Sequence, residues 1–276
     1  MRKLLAALPV IAIFFSACSI NNVTVDDSLG RFFDSAGVKG CFALYDNGQG
    51  DFTVYNLPRY RDSAYAAGST FDIVASLIAF QSGVIKDDKA VMLREGHYVA
   101  DSSHPGQQLT QYTDVTIADA FRSNGSELIF RKVEDSIGMD SLRKWVDSLR
   151  YGNRALDKDT DAVYDGSLRI PADEQLGLIK KLYFNQLPFF QRTQELVRGM
   201  MNKEEDSNYK LIYKATSVAN QDDVLCWVLG WVEENKHPYF FVLNLDVRDP
   251  NTDVAKVGIQ LVKHILPSMG FFEGKK

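Results

Sequence analysis

Ser69 and Asp72 stand three residues apart at the start of an apolar run, and a hydroxyl with a carboxylate at that spacing can support nucleophilic chemistry. Gly68 admits a tight turn, Ser69 and Thr70 are types that open helices, and Phe71, Val74, Leu77 and Ile78 recur at helical spacing. A serine placed there meets unpaired backbone N–H groups and the positive end of the helix dipole, which favour an anion forming on a bound carbonyl. Asp72 shares the helical face of Ser69, where desolvation would raise a carboxyl toward the range of a working base. A plain reading stands beside this one: Ser69 as an ordinary N-cap and Asp72 as an acid compensating the dipole.

The elements around this helix divide the chain. Residues 28–36 read as a short helix carrying Leu29, Phe32 and Phe33. Residues 40–45 and 52–55 are apolar runs separated by Asn47-Gly48-Gln49-Gly50, the signature of a hairpin. From 71 to 198 the pattern is mainly helical, with a helix opening at Pro171 and acids at Asp173 and Glu174 in its first turn. Strands return at 209–213, 224–233 and 239–246, and a final helix over 252–266 carries Val254, Val257, Leu261 and Ile265 on one side. Strands at both chain ends with helices between predict an α/β (α+β) domain. One antiparallel sheet is built from both ends, flanked by helices, and carries an inserted helical lobe over about 76–204.

The 276 residues carry a formal net charge of −5 and 45% hydrophobic residues. That is enough chain for one large core, and no basic field marks a nucleic-acid partner. Arg2 and Lys3, the apolar run 4–15 and Ser16-Ala17-Cys18 form a secretory signal over 1–17, too short to span a bilayer. Its end resembles a bacterial lipobox, which implies cleavage before Cys18 and acylation of that thiol. The chain would then be held on a membrane of the bacterial cell envelope, with 18–27 as a tether and 28–276 as a single domain. Cys41 and Cys226 lie in strand-like runs and read as two separate buried thiols, although an oxidising envelope would permit a bridge. His97, His104, His237 and His264 are scattered without ligand spacing, so no metal and no cofactor is expected.

Ser69-Thr70-Phe71, Ile73, Ser76-Leu77-Ile78-Ala79 and Gly83-Val84-Ile85 resemble the first motif of class D β-lactamases and of their penicillin-sensing receptor relatives. Gly40-Cys41-Phe42, Leu44-Tyr45-Asp46, Tyr151-Gly152-Asn153, the run from Lys181 to Phe189, and residues 227–233 and 239–246 extend the resemblance over most of 40–247. It implies the serine β-lactamase and penicillin-binding transpeptidase fold. The family reads Ser-x-x-Lys where this chain has Asp72, and there the lysine carries a carbamate that acts as base. Asp72 cannot form a carbamate and is much shorter. The tryptophan that shields the carbamate falls near Tyr164.

The second motif, Ser-x-Val, belongs in 121–127, where Ser126 fits with one residue of slack. The third, Lys-Thr-Gly, is replaced by Lys214-Ala215-Thr216, followed by Ser217. The resemblance implies Lys214 as anchor for a substrate carboxylate, Thr216 lining the groove, and the Ser69 and Ser217 N–H groups as oxyanion donors. The expected function is a penicillin-recognising serine protein that takes a β-lactam or a peptidoglycan stem-peptide-like ligand. It would bind or slowly acylate at Ser69 and hydrolyse poorly. Two alternatives stay open: an active class D hydrolase with a substitute base, and a catalytically dead interaction lipoprotein on the same fold.

Overall fold

The computed structural model describes residues 22–100, 108–123, 127–156, 160–220, 223–249 and 252–276. The signal segment 1–17, Cys18 and Ser126 lie outside these residues. In chain order the described elements begin with strand β1 (Val23–Val25), helix α1 (Gly30–Ala36), strands β2 (Lys39–Asp46) and β3 (Asp51–Tyr55), helix α2 (Leu57–Arg61) and strand β4 (Ala64–Ala66). Helix α3 (Asp72–Ser82), the strands β5 (Val91–Ala100) and β6 (Gln108–Thr116), and helices α4 (Ile117–Arg122), α5 (Glu127–Ile137) and α6 (Met139–Leu149) follow. Then come β7 (Arg169–Pro171), α7 (Ala172–Tyr183), α8 (Gln191–Met200), the strands β8 (Asn202–Glu205), β9 (Tyr209–Asn220), β10 (Asp223–Glu234) and β11 (His237–Val247), and helix α9 (Val254–Ser268).

Among the described residues one sheet runs β1-β3-β2-β11-β10-β9-β8, so strands from both chain ends meet at the β2–β11 pair. All its pairings are antiparallel except β1 with β3. Alternation along β11 divides two cores. Phe241, Leu243 and Leu245 face Leu29, Phe33, Leu261 and Ile265 of the terminal helices, and Phe240 and Val242 face the helical lobe. Asn235 and Lys236, with φ of 49° and 66°, form the two-residue turn between β10 and β11, the left-handed pair that a tight hairpin requires.

Helix α3 is the lobe's centre. Every residue from Asp72 to Ala79 is buried, because helices α5, α6 and α8 close on it and Lys214 of β9 meets its first residue. That demands apolar residues almost all round, which the sequence supplies except at Asp72 and Ser76.

Three expectations are corrected. The tether is partly strand: Val23–Val25 pairs with β3, and Asn22 donates its side-chain N–H to the Gly50 carbonyl at 2.8 Å. The span 71–198 contains the hairpin β5–β6, whose residues are too polar to display alternation; cross-strand pairs such as Arg94 with Asp114, at 2.6 Å, take the place of an apolar face. Strand β9 continues past Tyr213 to Asn220 and so carries Lys214, Thr216 and Ser217 along the lobe. Cys41 and Cys226 are separate buried thiols on strands parted by β11, about 10 Å across at the usual strand spacing and beyond reach of a bridge. Burial pushes the Cys41 thiol up to about 12.

Candidate active site

Ser69 sits in a single helical turn, Gly68–Thr70, between β4 and α3. Gly68 holds φ of +49°, and a Cβ there would lie 2.7 Å from Val218 Cβ, so only glycine lets the turn approach β9 so closely. Ser69 is half-buried. No side-chain bond caps either this turn or α3, so the plain N-cap reading of Ser69 is set aside.

Behind the turn lies a buried polar brace. The Thr70 hydroxyl donates to the Ala67 carbonyl at 2.6 Å and accepts from Gln175 Nε2 at 2.7 Å, while Gln175 Nε2 also reaches the Tyr151 hydroxyl at 3.4 Å. Tyr151 sets its ring edge-to-face on Phe71, 5.6 Å between centroids. The rest of the Tyr-Gly-Asn segment is tied down as well. Gly152 N–H donates to Glu174 at 3.0 Å, and Asn153 Oδ1 accepts from Arg169 N–H at 3.0 Å. The role of Tyr151-Gly152-Asn153 seen here is to hold the serine turn from behind.

The front of α3 holds charge. Asp72 Oδ2 accepts from Lys214 Nζ at 3.1 Å, with the two side chains 0% and 1% exposed. The same ammonium donates to the Phe121 carbonyl, at the end of α4, at 2.7 Å and lies 4.3 Å from the centre of the Phe121 ring. Beside this pair Glu134 projects inward from α5, fully buried, and accepts from the Tyr164 hydroxyl at 3.1 Å. Burial first, then the negative charge of Asp72, raises the Glu134 carboxyl to about 9, so it is protonated at neutral pH. The Tyr164 hydroxyl is likewise held above its ordinary range by burial and by the charges of Glu134 and Asp72. Arg131 stacks on the Tyr164 ring at 4.3 Å and is ion-paired to Glu127 and Asp161, which closes the cluster from outside.

Of the expected residues, Asp72 and Lys214 are brought into direct contact, while Ser126 lies outside the described residues. Lys214 does not present its ammonium at the surface: strand alternation turns it inward, toward α3, and the carboxylate it meets is Asp72. Thr216, two residues along, is buried on the same side, and Ser217 lies half-buried opposite Cys226 of β10. Tyr164 spends its hydroxyl on Glu134, to which it donates at 3.1 Å. Glu134 was missed. Its signal was present, because Phe130, Val133, Glu134 and Ile137 form the inward stripe of α5, and an acid on such a stripe must be paired or neutral.

Chemically, the described site sets a half-buried serine at the head of α3 and, in the core, a buried ion pair beside a protonated acid. Residues 40–266 match the penicillin binding protein transpeptidase domain family. β-Lactamase OXA-20 of Pseudomonas aeruginosa is 32% identical over 231 residues, covering 82% of each chain. Regulatory protein BlaR1 of Bacillus licheniformis is 30% identical over 253 residues, 90% of this chain, which spans only 40% of that protein's length. Among solved structures the class D β-lactamase YbXI from Nostoc superposes with a TM-score of 0.77 at 29% identity, covering 89% of this chain and 99% of the other.

Proposed function

Because this chain belongs to the penicillin binding protein transpeptidase family, in its class D β-lactamase-like branch, we propose that it recognises β-lactams or stem-peptide-like ligands and takes them up at Ser69 without efficient release. The observation that carries this reading is the buried Asp72–Lys214 pair. A carboxylate and an ammonium that satisfy each other leave neither group free to strip a proton from Ser69 or from an attacking water. The nucleophile's own support is intact: the glycine turn, the start of α3 and the Thr70–Gln175–Tyr151 brace. Acylation of Ser69 would run slowly on electrostatic stabilisation alone, and deacylation more slowly still.

Mass measurement after incubation with benzylpenicillin tests this, with Ser69→Ala beside it. A serine-dependent adduct that persists for hours is the expected result. Rapid drug consumption with no adduct would point to an efficient hydrolase. An untouched drug would favour the non-catalytic interaction protein, a reading supported by the withdrawal of Lys214 from the surface, which removes the expected carboxylate anchor. We also propose that the chain is an envelope lipoprotein anchored at Cys18, on the strength of its N-terminal segment.

A further inference from the structure

The geometry points to an intramolecular amide cross-link between Lys214 Nζ and Asp72 Cγ, assisted by Glu134. Three observations carry it. The amine and the carboxyl are hydrogen-bonded, Nζ to Oδ2 at 3.1 Å, and closed off from water, so the two reacting groups are held in contact in a low-dielectric pocket. Ring and backbone of Phe121 confine the lysine, leaving it little room to swing away. Glu134 Oε2 is buried and has no hydrogen-bond partner among the described residues, a costly state for which a proton-transfer role gives a reason.

Every atom of the step is accounted for by these side chains. The Lys214 ammonium passes a proton to the Asp72 carboxylate along their hydrogen bond, leaving a neutral amine and a carboxylic acid. The amine lone pair attacks Cγ and forms the C–N bond. Glu134 gives its proton to the hydroxyl oxygen, the C–O bond breaks and water leaves. The proton lost by nitrogen returns to Glu134, so the net change is one amide formed and one water released, with no oxidant or co-reactant. Conversion of a buried ion pair to a neutral amide removes the desolvation penalty of two charges, which favours the product. The link would join α3 to β9 and hold the serine helix against the strand. The inference concerns the pair alone and does not depend on β-lactam recognition.

The test is peptide mapping of the full chain, purified in detergent, denatured and digested with trypsin. The expected product is the peptide 62–86 joined to 211–236, one water lighter than the two together, with fragment ions placing the link at Asp72 and Lys214. Lys214→Arg, which keeps the charge, should give only separate peptides. Glu134→Gln, which keeps the shape, should leave most of the chain unlinked while its circular dichroism matches the wild type. Separate wild-type peptides with unmodified Asp72 and Lys214 would overturn the inference without reliance on any variant. Complete cross-linking in Glu134→Gln would overturn the part assigned to Glu134.

Discussion

The charges around Asp72 behave as one unit, and each can be probed singly. Lys214→Met leaves the Asp72 carboxylate buried beside the protonated Glu134 with no cation, which should cost about 3–5 kcal/mol in urea unfolding. Asp72→Lys, the substitution that restores the family's motif, sets a second ammonium beside that of Lys214. It should lower stability and give no gain in β-lactam turnover. Glu134 makes its own prediction. From its usual 4.5 up to about 9 the unfolded chain has released this proton while the folded chain keeps it. The folded state then binds more protons, so stability falls as pH rises through that window, by at most roughly 1.4 kcal/mol per pH unit, and levels off above it. Glu134→Gln should remove that slope, read as the difference between wild-type and variant unfolding midpoints from pH 5 to pH 9.

At the scale of elements, α3 depends on how closely its leading turn lies to β9. Gly68→Ala would strain a residue at φ +49° and drive a methyl group into Val218. The expected cost is about 1–3 kcal/mol, and the proposed acylation of Ser69 should slow because the turn must retreat from the strand. Unfolding curves together with the rate of penicillin adduct formation check both. This close approach was foreseeable only in part. Gly68 before Ser69 marks a turn, but Val218 as its neighbour follows from the extension of β9 seven residues beyond the run that reads as a strand in sequence. Hairpin β5–β6 escaped for a related reason: a strand pair with charged residues on its faces has no alternating apolar pattern to read.

For the whole molecule, a sheet assembled from both chain ends means that truncation at either end removes strands or the helices that cover them. The N-terminal anchor proposed at Cys18 precedes β1 by only a few residues, so the domain would sit close to the membrane that holds it. Fatty-acid labelling in a bacterial host should mark the wild-type chain, and Cys18→Ser should abolish the label and release the chain from the membrane fraction. The sequence by itself determined the two-ended sheet, the flanking helices, the lobe and the serine at the head of its central helix. Each of these rests on local periodicity and on turn and helix-opening residues, which record which face of an element is buried. Only the tertiary structure decided what the charges mean. Asp72 looked like a candidate base and Lys214 like a surface anchor, yet they lie 142 residues apart and meet in the core. Glu134 is one acid among many in sequence and becomes a protonated group only inside the pocket that α3, α5 and Tyr164 close together. The character of an ionisable group depends on burial and on its partner across the fold, and neither is recorded in the residues beside it.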